Sequence, residues 1–438
     1  MTKSILSVAI LVLACTGRMA AGEPSAMTIG RMFEIADRHN AEIAAADAST
    51  EVARREIETT KATRLPQIGV SLSLSYLGDG TILDRDFSHP TRDPLPHFSN
   101  TLSVELYQPV FTGGAISGGI EIAERRAALA DISRDGTRAE IRMKLVANYL
   151  NLAKCRNLLA VYNENIGLTR RLLKEMQARH GQGIVLKNDI TRYELRLSSL
   201  GYDSLEIANS AKICNSNLVS LLDLDADTEI ITDINAVPTE EYRTPADIGQ
   251  WQSAAGTHAV RLRAIDAERQ LAETSRRLAR AGYMPKIGIV AGDNFLGPVT
   301  FEVPALNKNY NAWFVGVNVK WNVSSLFTAN KAVRKADSEI RHAVTRHEAA
   351  IDETGRDINE TYTLYTQALA RLDIERKNLQ LANENYTIVS RRFDNQLALL
   401  TDMLDASNAR LDAGVRLVNA SIQAIYYYYQ LHFIAGTL

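Results

Sequence analysis

LPQIGVSLSLSY, residues 65–76, alternates without a fault. Ile68, Val70, Leu72, Leu74 and Tyr76 share one side of an extended chain, and Gln67, Gly69, Ser71, Ser73 and Ser75 share the other. Successive side chains of a strand point to opposite faces, so a period of two reads as a strand with one apolar face. MPKIGIVAGDNF (284–295) echoes the stretch, and TLSVELYQPVF (101–111) and AWFVGVNVKWNV (312–323) complete a set of four. In the second, Leu102, Val104 and Leu106 oppose Ser103, Glu105 and Tyr107. In the fourth, Trp313, Val315, Val317, Val319 and Trp321 oppose Phe314, Gly316, Asn318 and Lys320. The third is the least regular, because Asp293 falls on its apolar face.

Each segment is about ten residues long, enough to cross a bilayer as a tilted strand. Tyr76, Tyr107, Phe111, Tyr310, Trp313 and Trp321 sit near the segment ends, where a barrel carries its aromatic girdles. The pattern predicts a membrane β-barrel with lipid outside and water inside. Four strands cannot close a barrel in lipid, because an open edge leaves unpaired backbone groups there. Two copies would give about eight strands and a filled interior; three would give about twelve and a lumen. Small residues such as Gly69, Ser71, Ser73, Gly288, Gly292 and Gly316 suit an open interior.

The rest of the chain reads as helix and as a duplication. AADASTEVARREIETTKATRLPQIG (from 45) resembles RAIDAERQLAETSRRLARAGYMPKIG (from 263), and Pro66 matches Pro285 at an offset of 219. Val110 matches Val323 at an offset of 213, and Tyr149 with Tyr362, Arg179 with Arg392, and Asp189 with Asp402 keep it. The change of register falls between the strands, so the first half has the longer interstrand loop. The predicted organisation is a leader over 1–22, a first repeat over 23–223, a linker over 224–243 carrying Pro238, and a second repeat over 244–438. Each repeat runs helix, strand, strand, very long helix, helix. The first has helices over about 28–64, 113–178 and 186–222, with strands over about 67–77 and 100–111. The second has helices over about 244–281, 325–393 and 400–435, with strands over about 285–295 and 311–323. Val344, Ile351, Ile358, Tyr365, Leu372, Leu379, Tyr386 and Phe393 recur every seven residues, which predicts coiled-coil packing along this stripe. Leu145, Leu152, Leu159, Ile166 and Leu173 keep the same phase in the first half. On the helices alone a long soluble stalk is the simpler reading; the four matched strands decide against it.

The formal net charge is −2, so there is no polyanion-binding footprint and nucleic acid is not an expected partner. Lys3, the short apolar run from Ile5 to Ala14 and the small residues through Gly22 read as an export signal. Two processing routes fit it: cleavage near Ala21 or Gly22, or acylation of Cys15 within Val12-Leu13-Ala14-Cys15. Cys155 and Cys214 make no metal-ligand spacing, and no cofactor is expected. His342 and His347 are read as solvent-facing, Tyr426–Tyr429 as packing residues, and DFSHPTRDPLPHF (86–98) as an extracellular loop. No phosphate loop, nucleophile elbow or acid pair with a partner base emerges, so the chain does not read as an enzyme.

The helix-to-strand junction RLPQIGVSLSLSY (64–76), the strand-to-helix junction QPVFTGG (108–114) and the tip segments RHGQGIVLKNDITRYELRL (179–197) and RFDNQLALLTDMLDASNARLDA (392–413) resemble the TolC-like outer-membrane efflux proteins. The resemblance covers nearly the whole chain beyond the leader. It implies a mainly α fold with a membrane β-barrel: a homotrimer whose twelve-stranded outer-membrane barrel continues as a long α-helical coiled-coil barrel into the periplasm. It implies a passive duct, powered by an inner-membrane pump through a periplasmic adaptor. It also implies that Asp402 and Asp405, three apart at a helix start, form the acidic ring of the periplasmic entrance. Asp189 matches Asp402 across the repeat, and Arg192 stands at the position that matches Asp405, so Asp189 and Arg192 are the tip partners to look for, with an Arg192–Asp405 contact between halves or neighbours as one arrangement. Gln396 replaces the glycine that the first half keeps at Gly183. A soluble periplasmic scaffold is the alternative, and a hydrolase or metal enzyme would need a convergent polar site that the sequence does not display.

Overall fold

A computed structural model of the chain describes residues 27–183, 185–233, 242–243, 246–395 and 397–438. The leader, Cys15, Pro238, Pro245 and Gln396 lie outside these residues. The first repeat contains α1 (Ile29–His39), α2 (Ala41–Ala62), β1 (Gln67–Tyr76), β2 (Gly80–Ile82), β3 (Thr91–Asp93), β4 (Phe98–Phe111), α3 (Ala115–His180) and α4 (Lys187–Leu222). The second contains α5 (Ile248–His258), α6 (Val260–Ala281), β5 (Lys286–Gly297), β6 (Tyr310–Lys320), α7 (Ser325–Asp394) and α8 (Leu400–Ala435). Among the described residues no helix is long and apolar enough to cross a membrane.

The four long strands form where the period of two places them, in one antiparallel sheet of order β1-β4-β5-β6. The interstrand segment of the first half, expected as a loop, folds β2 and β3 into a small second sheet. Pro109 has no N–H to give the ladder, and the register between β4 and β5 shifts between Pro109 and Phe111, a bulge that tolerates it. At the junction into α3, Gly113 has φ +63, and a Cβ there would lie 2.3 Å from Cβ of Met284, so both the turn and the close approach require glycine.

The helices expected over 28–64 and 244–281 are each two helices. Asn40 has extended dihedrals, and its Oδ1 accepts from the backbone N–H groups of Glu42 at 2.9 Å and Ile43 at 3.1 Å, capping α2. The second break falls at Ala259, the same place in the repeat. Asn40→Ala should destabilise the fold by about 1 kcal/mol while Asn40→Asp keeps the cap; thermal loss of helical circular dichroism checks the order of the three.

Over the described residues the chain divides into two compact units, one within 37–143, 246–367 and 427–438, and the other within 27–36, 144–243 and 368–426. In the first, the helices stand in the same lateral order as the strands they join. α2 meets α3 through Arg54–Asp131 and Lys61–Glu124. α3 meets α6 through Arg263–Asp135 and at Gly118, against the side chain of Leu278. α6 meets α7 through Arg276–Asp337 and Arg346–Glu268. The edges of this layer are α2 and α7, as the edges of the sheet are β1 and β6. Tyr428, one of the four consecutive tyrosines, packs its ring against Tyr365 and His432.

Within the chain the seven-residue stripe of α7 is buried unevenly. Val344 and Ile351 are 39% and 48% exposed, whereas Ala343 and Ala350, one position earlier, are 8% and 2% exposed. Ala329, Ala336, Ala343 and Ala350 form the buried row, and small side chains let α6 approach closely. From Ile358 onward the stripe is the packed one, with Ile358, Tyr365 and Leu372 buried.

In the second unit α3, α4 and α8 share a core of Ile166, Leu200 and Leu411. α7 joins through Arg410, whose guanidinium lies 5.0 Å from the centre of the Tyr386 ring and whose Nε donates to Asn383 at 2.7 Å. The hydroxyl of buried Tyr149 accepts from the backbone N–H of Asp233 at 2.8 Å and donates to the carbonyl of Met27 at 2.8 Å. Burial holds its phenol above the ordinary range. The edge helices of this unit are α4 and α7, and both carry exposed apolar rows. Ile374, Leu381 and Ile388 on α7 are 59%, 51% and 58% exposed, at a spacing of seven, and Leu195, Tyr202, Leu205 and Ile213 stand exposed on α4.

Candidate functional site

The sheet has two unlike faces. One carries Ile68, Val70, Leu72 and Leu74 of β1, Leu102 and Val104 of β4, Ile289 and Phe295 of β5, and Trp313, Val315, Val317 and Val319 of β6, all exposed. Cross-strand rows bind them into one apolar surface: Ile68 opposes Leu106, which opposes Ala291, which opposes Val315. Asp293 lies on this face as its alternation requires, between Val104 and Trp313, and its Oδ1 accepts from Nδ2 of Asn311 at 2.6 Å. Trp321 donates its indole N–H to the carbonyl of Tyr283 at the helical end of the sheet.

The other face is polar and shallow. A row runs Gly69, Glu105, Gly292, Phe314, and the next runs Gln67, Tyr107, Val290, Gly316. The Tyr107 ring lies over Gly288 and the Phe314 ring over Gly292, so closely that a Cβ at either glycine would clash. A hollow of about 550 Å³ opens on this side between Gln67, Glu105, Tyr107, Phe314 and Asn318. Among the described residues, the backbone groups on the outer edges of β1 and β6 have no strand partner.

The acidic residues singled out at the tips lie around one apolar cluster. Met176, Ile190 and Tyr193 are buried, and Leu172, Leu173, Val185, Leu400 and Leu404 pack on them. Asp189 precedes Ile190 at the start of α4, and Asp402 and Asp405 flank Leu404 at the start of α8. Asp402 and Asp405 are exposed, and the intervening Met403 is buried, so the two carboxylates share the solvent face. The Oδ2 of Asp402 accepts from the backbone N–H of Leu399 at 2.9 Å, so this carboxylate also caps its helix. Arg192 is exposed and makes no ion pair with Asp405 within the chain. Sequence reasoning missed Tyr193. Its phenol is held well above the ordinary range, by burial first, then by Tyr386 and Asp189 nearby. Gly183 has φ +77 in the turn between α3 and α4, which explains the glycine there. Arg179 places its guanidinium 5.5 Å from the centre of the Phe393 ring, joining the ends of α3 and α7.

Cys155 and Cys214 are free thiols. Among the described residues no group of three His, Cys, Asp or Glu side chains is placed to hold a metal ion.

Comparison with known proteins gives the same architecture. The pattern of the outer membrane efflux protein family matches residues 33–211 and 251–437. The chain is similar to the proteases secretion protein PrtF of Dickeya chrysanthemi, 20% identical over 96% of this chain and 90% of that one. It superposes on the outer membrane protein VceC of Vibrio cholerae with a TM-score of 0.76, at 17% identity, over 93% of this chain and 96% of that one. It superposes on the CmeC outer membrane channel of Campylobacter jejuni with a TM-score of 0.77, at 13% identity, over 93% and 85%. At these identities the two superpositions speak for the fold.

Proposed function

We propose that this chain, which belongs to the outer membrane efflux protein family, works as a homotrimer with a twelve-stranded barrel continued by a helical barrel. It is an outer-membrane exit duct of efflux or secretion systems. The observation that carries the trimer is the open four-stranded sheet, with one apolar face and both edges unpaired. In lipid every backbone group needs a partner, so β6 of one copy pairs with β1 of the next until the ring closes. Three copies of four strands leave a wet lumen, and the small and polar inner face suits it. The helix layers repeat the logic: α7 of one copy meets α2 and α4 of the next, covering Ile374, Leu381 and Ile388.

The duct is passive. An inner-membrane pump supplies the energy and a periplasmic adaptor joins the two. The organisation that goes with this is a removed or acylated leader, two repeats over 23–223 and 244–438, and the linker over 224–243 between them. No enzymatic step is assigned to any residue.

Asp402 and Asp405 form the acidic collar of the periplasmic entrance, with Asp189 beside the same apolar cluster. Their exposure on one face supports this, since three copies would crowd the carboxylates around one opening. An Arg192–Asp405 pair would join neighbouring copies.

The test is conductance of purified trimers in a planar bilayer. Wild type should conduct weakly, with block by millimolar divalent cations, and Asp402→Ala/Asp405→Ala should conduct severalfold more and lose the block. Equal conductance in both removes the gating role of the acids. Folded trimers that insert and never conduct remove the duct itself.

A further inference from the structure

Lys286 and Lys320 stand directly opposite each other where β5 and β6 meet the helices. Both lie on the polar face, because Lys286 alternates with Gly288 and Gly292, and Lys320 with Asn318, Gly316 and Phe314. The Tyr107 ring over Gly288 marks that same face. Like charges opposite each other across a strand pair destabilise it, so the sheet gains nothing from this pair. Neither lysine makes an ion pair among the described residues, and both are exposed. The carboxylate on this face of β4, Glu105, pairs in register with Gly292, six residues beyond Lys286 along β5. At the rise of a strand that is about 20 Å away. The repeat supplies an internal contrast: the same register position in the first hairpin is the neutral pair Gln67 and Tyr107.

We propose that Lys286 and Lys320 form a cationic collar inside the base of the barrel, which takes the phosphate, carboxylate or sulfonate groups of an anionic solute in transit. Each protomer contributes one cationic pair and one neutral pair, so the positive charge recurs at three stations around the ring. Ammonium groups held close in a partly enclosed wall concentrate their field on a multivalent anion. Alternation with neutral stations keeps the binding weak enough for release. The collar rests on the trimeric barrel proposed above, and it lies on elements separate from the acidic entrance.

The probe is pyranine, a fluorescent trisulfonate, titrated into detergent-purified protein at low ionic strength, with the oligomeric state of each sample measured by light scattering. Wild type should bind pyranine in a salt-sensitive phase of about three per trimer, and Lys286→Gln/Lys320→Gln should weaken that phase about tenfold. Lys286→Arg/Lys320→Arg should stay within about twofold of wild type, since it keeps the charge. Gln67→Lys/Tyr107→Lys should add a second set of stations and raise the stoichiometry. A trimeric glutamine variant that binds as wild type does, or a trimeric wild type that binds no pyranine, overturns the collar. A wild type that is not trimeric overturns the assembly instead, which the scattering reports separately.

Discussion

Leu72→Arg or Val315→Arg abolishes assembly in the outer membrane, while Ser71→Arg, one residue away, leaves it standing. Leu72 and Val315 lie at the middle of β1 and β6, on the exposed apolar face. An arginine at the bilayer midplane of a barrel costs about 2–4 kcal/mol per site. The proposed trimer repeats that three times, a cost comparable with the whole stability margin of a folded domain. Ser71 opposes Ser103 on the inner face, where a long cation reaches water. The readout is the amount of trimer in the outer-membrane fraction, judged on a gel that preserves oligomers. Normal trimer from Val315→Arg would mean that this face does not meet lipid.

Leu381→Glu/Ile388→Glu leaves a folded chain that does not trimerise. Both side chains are exposed in the protomer, so the chain alone loses no core contact when they change. Covering a Leu or Ile side chain stabilises an interface by about 1.5–3 kcal/mol, and the substitution also places charges in the seam. Full helicity by circular dichroism with a monomeric mass in detergent is the expected result. Leu372→Ala, between two and three turns nearer the middle of α7, makes the contrast. Leu372 is buried within the protomer, and its truncation lowers stability itself, by about 2–5 kcal/mol. Intact trimers from the double glutamate variant would show that the row on α7 faces solvent in the assembly.

The contrast between Leu372 and Leu381 also marks what a sequence can tell. A period of seven announces a packed face but not its partner. The period of seven runs through Val344 and Ile351, which are larger than the adjacent Ala343 and Ala350. The alanines are the ones buried, since small side chains permit the close approach of α6. The strands were readable to within about three residues, because a period of two is rigid and the aromatic ends bound it. The helix break at Asn40 had a signal, an asparagine two residues ahead of a glutamate. The break at Ala259 had none except the repeat itself. At the tips the acids were readable, but the second duty of Asp402 as a helix cap depended on where α8 begins. Tyr193 was hidden inside an apolar pattern to which a phenol also conforms. The lateral order of the helices joins residues far apart in sequence and left no periodic trace.

That lateral order has a consequence for how the ring arose and how it is made. By the repeat, β1 corresponds to β5 and β4 to β6. In the proposed ring, the contact between β4 and β5 inside one chain is then the counterpart of the contact between β6 and the next copy's β1. A ring of six single-repeat chains has six joints, five made by bimolecular encounter and the last by closure within the assembly. Fusing the repeats makes half of those joints intramolecular, held at the high effective concentration of a tether. The equilibrium for closure then depends on the third power of chain concentration instead of the sixth. For a ring built in dilute suspension in a thin compartment, duplication is an answer to scarcity: it lets a sparse population of chains complete a wall that separate halves would rarely meet to finish.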